Sequence, residues 1–494
     1  MTKEEFNAEW LKAEELCNLF DVEICGKKIW KYIRITSDMY FFDYELENVY
    51  QNGRCWANMP KGNIIDLFFN YVKNPYRDMF CKDNPLFSRS TDLLYVVNRQ
   101  NTYRNGKFIH RTIGDYIIST PKDISYSVLE WIPAENDLQY YHLNKNQYFF
   151  SHEMVTALFK CNDRVSETII IKELENKIIK PIEKTTQIRF SDKMKACMVD
   201  QVIFYIIYGD AYHNFYNYIL KKIKPKLVIY SLFELPFVQI LMDVCVENNI
   251  KISEIQWGMG FSMIYELGYS ANFNNKFIAP TYFMGYGDFS KKMFSKEYTH
   301  CKYGIGEENS ISIGKIVLNE SAIAANKNKL IHKNNKYYLI ISSIYPQIID
   351  FTIELAKKIK DKNIKIIYKL HPGESNRPDP KLKILKEHNV IIKDKVSIYS
   401  IIEWSDYIIG TESTALYESA KFGKPVFIYG EFSKTHPLVK KNVAIGIESV
   451  DDFLNKLKEP QNLNINPDAI NYFYADNAKK NYQKFLNEII IGRK

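Results

Sequence analysis

The sequence predicts an α/β protein with parallel sheets, and three observations indicate this fold class. Short apolar runs at 364–370, 407–410 and 426–429 are rich in Ile, Val and Tyr. These runs alternate with helical segments, which is the βαβ pattern of a parallel sheet covered on both faces. A weaker alternation of the same kind runs over residues 226–314. Because 494 residues are too many for a single core, we expect separate domains.

The composition is that of a globular protein, with 46% hydrophobic and 25% charged residues. The net charge of +8 is concentrated between residues 315 and 395, where sixteen Lys and one Arg face eight acidic residues. One interpretation is a solvated, lysine-rich helix face. The other is attraction to an anionic donor or to an anionic membrane surface.

The cysteines, the amino terminus and the apolar runs of the sequence indicate where in the cell the protein is expected. The eight cysteines are scattered and show no CxxC or metal-ligand spacing, which is typical of reduced, cytosolic thiols. The amino terminus is polar and acidic, unlike a signal peptide. No apolar run approaches the roughly eighteen residues of a membrane span. We therefore expect a cytoplasmic protein whose contact with the inner face of the cell membrane, if any, is peripheral.

The chain divides into five expected segments. Residues 1–90 form a partly helical amino-terminal extension, 91–319 a first α/β domain, and 320–335 a polar linker. Residues 336–450 form a second α/β domain, and 451–494 form helices that return across the domain junction.

In the extension, Phe6, Trp10, Ala13 and Cys17 recur at helical spacing. We expect this segment to pack on the next domain, and a role in binding an acceptor is the alternative.

The first domain opens with a strand pattern and continues with helices. Expected strands are 93–100, 107–110, 116–119 and 126–131, with a hairpin turn at Asn105-Gly106, and then 226–231 and 251–256. Expected helices are 147–160, 165–180, 192–222 and 236–247.

Polar residues follow two apolar strands of the second domain. His371 and Pro372 come after the first strand, and residues 411–414 come after the second, where they open a helix. In open α/β sheets ligands bind at the carboxyl ends of strands, and a helix start is a ready anion site. A lone histidine in this position is ordinary, but two polar motifs at the ends of neighbouring strands favour a phosphate site. Gly410 is interpreted as a close-approach glycine and Gly423 as a helix-ending one.

These residues carry a resemblance to a known group of enzymes. His371-Pro372, Ser413-Thr414, Glu418 and the turn at 423–425 resemble the carboxyl-terminal nucleotide domain of GT-B glycosyltransferases. Within that fold they are most similar to bacterial capsule and lipopolysaccharide enzymes, which include sialyl-, polysialyl- and Kdo transferases. The resemblance covers residues 336–430, and 226–314 more weakly. It implies two Rossmann-like domains facing a cleft, with an amino-terminal extension.

The resemblance also implies roles for individual residues. His371 would be catalytic, by stabilising the charge that develops on the phosphate as the sugar bond breaks. Glu418 would accept hydrogen bonds from ribose hydroxyls, and the alternative is an exposed helix glutamate paired with a lysine. The expected donor-binding residues are Pro372, Gly373, Glu374, Gly410, Thr411, Ser413, Thr414 and Glu418.

The stretch Gln256-Trp257-Gly258 is expected to line the cleft, because related sequences often read Glu-Ile-Gln-His-Gly there. Trp257 departs from that pattern. Either another residue of this chain does the histidine's work, or the aromatic ring fills the space between the domains.

The catalytic base should be a carboxylate or imidazole of the first domain, near the acceptor hydroxyl. Glu234 is the first candidate because it follows a predicted sheet strand. The alternatives are Asp115, Glu266 and Asp288. The resemblance implies neither a bound metal nor a cofactor, since the nucleotide-sugar is the substrate.

The predicted function is transfer of a sugar from a nucleotide donor to a glycan or lipid-linked glycan acceptor in surface polysaccharide synthesis, with no nucleic-acid partner. A CMP-sugar is favoured, because the His-Pro and Ser-Thr pair is most similar to transferases that use CMP-activated acidic sugars, and one imidazole with two hydroxyls suits a single phosphate. Lys369 and Arg377 flank the motif and keep a UDP-sugar open. The alternatives are a nucleotide-sugar 2-epimerase of the same fold and a non-catalytic subunit that binds glycan or nucleotide.

Overall fold

The computed structural model describes residues 3–34, 84–98, 101–104, 107–110, 112–131, 146–162, 164–231, 236–259, 280–292, 307–327, 335–342, 347–371, 374, 379–394, 396–458 and 466–492. Its strands are β1 (Glu23–Ile24), β2 (Lys27–Lys28), β3 (Leu93–Asn98), β4 (Asn101–Arg104), β5 (Lys107–His110), β6 (Tyr126–Trp131), β7 (Gln147–Phe150), β8 (Leu227–Tyr230), β9 (Lys251–Ile255), β10 (Tyr282–Gly285), β11 (Ser310–Ser312), β12 (Lys336–Ile341), β13 (Ile364–Lys369), β14 (Ile391–Lys393), β15 (Tyr407–Gly410), β16 (Val426–Tyr429) and β17 (Ile445–Ile447).

The α-helices of the described residues are α1 (Lys3–Leu16), α2 (Gly114–Ile118), α3 (His152–Leu158), α4 (Glu167–Leu174), α5 (Lys180–Thr185), α6 (Asp192–Ile203), α7 (Gly209–Ile223), α8 (Pro236–Glu247), α9 (Ile316–Lys327), α10 (Gln347–Lys358), α11 (Leu382–Glu387), α12 (Ile398–Trp404), α13 (Thr414–Lys421), α14 (Pro437–Lys440), α15 (Val450–Lys458) and α16 (Ala478–Leu486).

The first domain is built on a seven-stranded sheet in the order β11-β10-β9-β8-β3-β6-β7, and every pair in it is parallel. Its central strands β3 and β8 are buried on both faces, which explains why they read as continuous apolar runs. One face packs against α1 and the helices between 152 and 247. The other face packs against α2, the start of α9 and α16.

The second domain is built on a six-stranded parallel sheet in the order β14-β13-β12-β15-β16-β17. Helices α10, α11 and α15 cover one face. The other face packs against α12 and α13, and its core also includes Met259 and Tyr286 of the first domain. Two parallel sheets with helices on both faces confirm the predicted class, an α/β protein with two Rossmann-like domains.

The amino-terminal segment is part of the first domain's core. Phe6, Trp10 and Ala13 on α1 are fully buried there, as their helical spacing predicts. The Glu14 carboxylate, 0% exposed, accepts hydrogen bonds from Arg34 Nε at 2.5 Å and Trp30 Nε1 at 2.8 Å. A buried charge is tolerated only when it is paired in this way. The predicted acceptor role of the extension stays a prediction, and residues 35–83 lie outside the described residues.

The chain crosses between the domains a second time near its end. Residues 466–474 pack on the second domain through Ile470, Phe473 and Tyr474. Helix α16 then packs on the first sheet, where the Tyr482 hydroxyl contacts the hydroxyl of Tyr95.

Some predicted elements differ from the structure. Of the run 116–119, predicted as a strand, residues 116–118 lie in helix α2, and the start of the predicted helix 147–160 is strand β7. Both are short apolar runs, for which periodicity does not separate a strand from a helix. The start of the predicted linker 320–335 is helical, because α9 extends to Lys327. Strands β4 and β5 pair antiparallel across the predicted hairpin turn, but the first strand of the hairpin is 101–104 and not the predicted 93–100. Asn105-Gly106 itself lies outside the described residues.

Candidate functional site

The carboxyl edge of the second sheet brings the predicted phosphate motifs together. Lys369, Ile341 and Gly410 lie in one row across β13, β12 and β15. His371, Ser342 and Thr411 therefore leave the sheet at the same edge. The two motifs were predicted at the ends of neighbouring strands, but β12 separates β13 from β15. Strands are spaced by about 4.8 Å, so the motifs begin about 10 Å apart and Ser342 lies between them.

Glu374 organises the loop that follows β13. Its Oε2 accepts the backbone N–H of His371 at 2.7 Å and the hydroxyl of Ser342 at 2.5 Å. The Tyr368 hydroxyl in turn donates to Ser342 Oγ at 3.1 Å. Burial raises the pKa of Glu374, and these two hydrogen bonds oppose the rise. Glu374 was predicted to bind the donor, and in the described residues its carboxylate fixes the loop that carries His371.

His371 itself is half-buried at this edge, within reach of a ligand. Pro372 and Gly373, also predicted to bind the donor, lie outside the described residues.

Helix α13 begins at the edge with a side-chain cap. Ser413 is its N-cap, and Ser413 Oγ accepts the backbone N–H of Ala415 at 3.3 Å. Thr414 Oγ1 accepts the backbone N–H of Met259 from the first domain at 3.0 Å. Because each hydroxyl is used here as an acceptor, its own O–H proton can still be donated to an anion.

Gly410 allows the start of α13 to approach the sheet closely. A Cβ atom on Gly410 would lie 2.9 Å from Leu416 Cδ2 and 3.2 Å from the carbonyl oxygen of Ile341. This agrees with its interpretation as a close-approach glycine. Thr411 follows it and is buried, with 3% of its surface exposed, so its side chain lies beneath the edge.

Glu418 lies one turn into α13 and is buried, with 5% exposure. Its Oε1 pairs with Lys315 Nζ from the first domain and accepts the Tyr399 hydroxyl at 3.1 Å. The alternative expectation for Glu418 was an exposed glutamate paired with a lysine. The lysine partner is present, but the prediction that Glu418 is exposed was wrong. Neither Lys315 nor Ser342 was predicted as part of the site. Ser342 could have been found as a polar residue after an apolar strand, whereas nothing in the local sequence marks Lys315.

The predicted cleft residues follow β9. Gln256 Oε1 accepts the backbone N–H of Tyr286 at 2.7 Å, and Gln256 Nε2 donates to the carbonyl of Gly258 at 3.0 Å. The Trp257 carbonyl accepts the Tyr286 hydroxyl at 3.1 Å, while its ring is half-buried against the first domain's core. These bonds shape the turn that presents Met259 to Thr414. The Trp257 ring is partly used in packing.

The candidate bases are only partly within the described residues. Glu234 and Glu266 lie outside them. Asp288 accepts the hydroxyl of Ser312 at 2.6 Å, and Asp115 lies in α2.

His110 also lies at the carboxyl edge of the first sheet, beside Asn98 at the end of β3. Its Nδ1 accepts the N–H groups of Thr112 and Ile113, each at 3.2 Å, and its Nε2 lies 3.3 Å from Asn98 Oδ1. Burial lowers the pKa of His110 to about 4. Both ring nitrogens are therefore engaged, Nδ1 with the local backbone and Nε2 with the Asn98 side chain.

A separate cavity of about 400 Å³ lies between the β1–β2 turn and helices α7 and α8. Its lysines are each paired with a carboxylate: Lys27 with Asp210, Lys28 with Asp21 and Lys31 with Asp243. Paired charges of this kind do not attract an anion, and we assign this cavity no function.

The described residues contain neither a metal-binding cluster nor a membrane-spanning helix. No group of three or more His, Cys, Asp or Glu side chains there could hold a metal ion. None of the described helices has the length and apolarity needed to cross a membrane. The expected independence of metal and cofactors stays a prediction.

No model of a protein family matches the sequence, and no curated protein matches it. Solved structures are similar in overall architecture. The UDP-GlcNAc 2-epimerase from Neisseria meningitidis bound to UDP-GlcNAc is 13% identical, with a TM-score of 0.45 over 81% of this chain and 100% of that chain. The UDP-GlcNAc 2-epimerase from Methanocaldococcus jannaschii is 11% identical, with a TM-score of 0.46 over 81% and 99%. The wall teichoic acid polymerase TagF is 12% identical, with a TM-score of 0.44 over 88% and 98%. Likeness at this level does not distinguish one activity from another.

Proposed function

We propose that this chain is a glycosyltransferase that takes a sugar from a nucleotide donor bound at the carboxyl edge of the second sheet. The observation that carries the proposal is the common position of His371, Ser342 and the start of α13 at one sheet edge. Such an edge is where open α/β sheets bind their ligands. The predicted resemblance to GT-B transferases motivates the choice of reaction.

The chemistry of this edge suits a phosphate group. The hydroxyls of Ser413 and Thr414 each accept a backbone N–H and keep a proton to donate. The amino terminus of α13 adds a partial positive charge at the same place. His371 would stabilise the negative charge that develops when the sugar–phosphate bond breaks, since donors positioned in advance favour the transition state.

The acceptor would enter from the first domain. Met259 follows β9 and contacts Thr414, and Lys315 follows β11 and contacts Glu418. The carboxyl ends of β9 and β11 therefore lie beside the start of α13. A hydroxyl of a glycan held by the first domain would be close to the donor sugar, and the base that removes its proton stays to be identified.

For the donor we propose a cytidine nucleotide, with uridine as the alternative. Two hydroxyls and one imidazole match the single phosphate of a CMP-sugar. Lys369, the described lysine beside the motif, donates from its Nζ to the carbonyl of Leu370 at 2.8 Å. That bond holds its charge next to the strand end, where it could also serve a second phosphate. Our proposal includes a surface-glycan acceptor, which would be lipid-linked if the lysine-rich stretch contacts a membrane from the cytoplasmic side.

The proposal is tested first by binding and then by turnover. CMP, CDP, UMP and UDP are compared at matched concentrations in a thermal-shift assay, where a ligand stabilises by RT ln(1 + [L]/Kd). CMP should raise the melting temperature most, and a larger shift with UDP would change the donor class. Absence of any shift would contradict a nucleotide site.

Turnover then separates the activities. Donor hydrolysis or transfer to a glycan is expected of a transferase. Conversion of UDP-GlcNAc in the absence of an acceptor would assign an epimerase instead. Nucleotide binding with neither reaction would indicate a non-catalytic subunit.

A further inference from the structure

Lys315 carries a buried contact from the first domain to the second. It follows Gly314 just after β11, and its Nζ pairs with Glu418 Oε1 on α13. The two side chains are 15% and 6% exposed. The backbone before Lys315 is fixed, because the Tyr116 hydroxyl donates to the Gly314 carbonyl at 2.6 Å. Gly314 has a φ of +79°, and a Cβ there would lie 2.4 Å from the carbonyl oxygen of Ala475. The position of Lys315 is therefore constrained through the residue before it.

The groups that face this ion pair are aromatic hydroxyls. The Tyr399 hydroxyl donates to the same Glu418 Oε1 at 3.1 Å, and the Tyr286 ring centre lies 5.5 Å from Lys315 Nζ. Tyr286 stacks on Tyr474 at 5.4 Å. The tyrosines that act electrostatically on the pair are Tyr116, Tyr286, Tyr399 and Tyr474. Burial raises the pKa of Tyr399 and of Tyr474, so both are neutral near pH 7.

Lys315 keeps its charge despite its burial. Burial alone would lower the pKa of Lys315, but the negative charge of Glu418 holds that pKa well above its ordinary value. A carboxylate accepts through two oxygens. Lys315 and Tyr399 both contact Oε1, so the contacts that the described residues make orient the carboxylate through this one oxygen.

We propose that Lys315 is a positioning residue, which orients the Glu418 carboxylate so that Oε2 receives the sugar hydroxyls of a bound nucleotide. This inference rests on the proposed function, because it requires a nucleotide at the start of α13. Glu418 lies one turn along α13 from Thr414, on the same side of the helix. A phosphate at Ser413 and Thr414 and a ribose at Glu418 would therefore occupy one continuous site. Since Lys315 belongs to the first domain, that domain contributes to recognition of a ligand held by the second.

Loss of Lys315 has a specific chemical consequence. Without a cation beside it, a carboxylate in a buried site gains a proton more readily, because burial disfavours the charged form. A protonated carboxyl accepts hydroxyl groups less well than a carboxylate does. Recognition of the ribose hydroxyls would then weaken as the pH falls. A merely structural role of Lys315 would instead weaken all nucleotides equally and at every pH.

The test compares CMP with 2′,3′-dideoxy-CMP by titration calorimetry on the full chain, at about pH 6 and about pH 8. Wild-type protein should prefer CMP by roughly tenfold or more at both pH values, as expected for hydrogen bonds to a charged group. Lys315→Met should reduce the preference to within about threefold at the lower pH. Lys315→Arg should retain most of it.

Two further variants complete the design. Lys315→Met/Glu418→Gln removes both charges, so it avoids an unpaired buried carboxylate, and it should fold and lack the preference at both pH values. Lys421→Met is the matched control, since Lys421 lies on the same helix and binds Asn471 and Asp476 instead. It should keep the wild-type preference.

The outcomes are distinct. An unchanged preference in Lys315→Met, or an equal loss for CMP and dideoxy-CMP, overturns the role of Lys315 while leaving the nucleotide site in place. If wild-type protein binds UDP rather than CMP, the uridine pair of ligands replaces the cytidine pair. Binding of neither nucleotide by wild-type protein overturns the proposed function and this inference with it.

Discussion

The N-cap of α13 permits a sharp test of the phosphate site, because the Ser413 hydroxyl has two separable roles. It accepts the N–H of Ala415, and we expect it to donate to the donor phosphate. Replacing an N-cap Ser by Ala costs about 1 kcal/mol of helix stability, while replacing it by Gly costs only a few tenths. A hydrogen bond to a charged group contributes roughly 1.5 to 3 kcal/mol. Ser413→Gly and Ser413→Ala should therefore both weaken CMP binding, by roughly 10- to 150-fold.

The comparison between the two variants isolates the ligand contact. If helix fraying caused the loss, Ser413→Gly would bind almost as well as wild-type protein, and that result in calorimetry would refute the reasoning. The matched control is Ser191→Gly. Ser191 is the N-cap of α6 in the first domain and accepts the N–H of Met194 at 3.3 Å. This substitution removes the same kind of cap far along the chain from the site and should leave the CMP affinity unchanged.

Three further outcomes are expected. His371→Ala should lower turnover at least roughly tenfold with an unchanged melting temperature, because the residue follows a strand end; unchanged kinetics in the folded variant would remove its catalytic role. Arg34→Met should destabilise the first domain in urea by about 3 to 5 kcal/mol, since it leaves Glu14 buried and charged, whereas Lys28→Met at an exposed pair should cause no measurable change. Acidification from about pH 6.5 to about pH 4 should lower the free energy of unfolding by up to about 3 kcal/mol per histidine. The reason is that burial lowers the pKa of three histidines to about 4, so only the unfolded chain binds protons at these histidines above that pH. A free energy of unfolding of the wild-type protein that does not change over this pH range would contradict this. These histidines are His110, His152 and His436.

Central strands of the second sheet could be predicted closely from sequence, whereas its edge strands β14 and β17 were not predicted. The runs 407–410 and 426–429 coincide with β15 and β16. Strands buried on both faces are continuous apolar runs bounded by polar turns, so their limits are visible locally. The order of the strands was less visible. The first strand of the domain, β12, lies in the middle of the sheet, and this separated two motifs that were expected to be neighbours.

The site could be predicted in part. His371 and Ser413 belong to motifs whose local pattern, a polar residue after an apolar strand, indicates the sheet edge. No local pattern marks Lys315, because its role depends on its contact with Glu418, which lies more than a hundred residues along the chain. The burial of Glu418 was also missed, since a glutamate on a helix is ordinarily exposed. Contacts between domains depend on tertiary packing, so they produce no periodic pattern in the local sequence from which they could be predicted.

The second crossing near residues 466–478 limits how the two halves of the molecule can move. A single linker would allow one half to swing and twist freely about one point. Here the backbone passes between the halves twice, once through α9 into β12 and once through the segment that leads into α16. Two anchoring points define a line, and rotation about that line is the motion that stretches neither connection. Any opening of the cleft should therefore behave as a one-axis hinge, whose axis passes close to Lys315 and Tyr474.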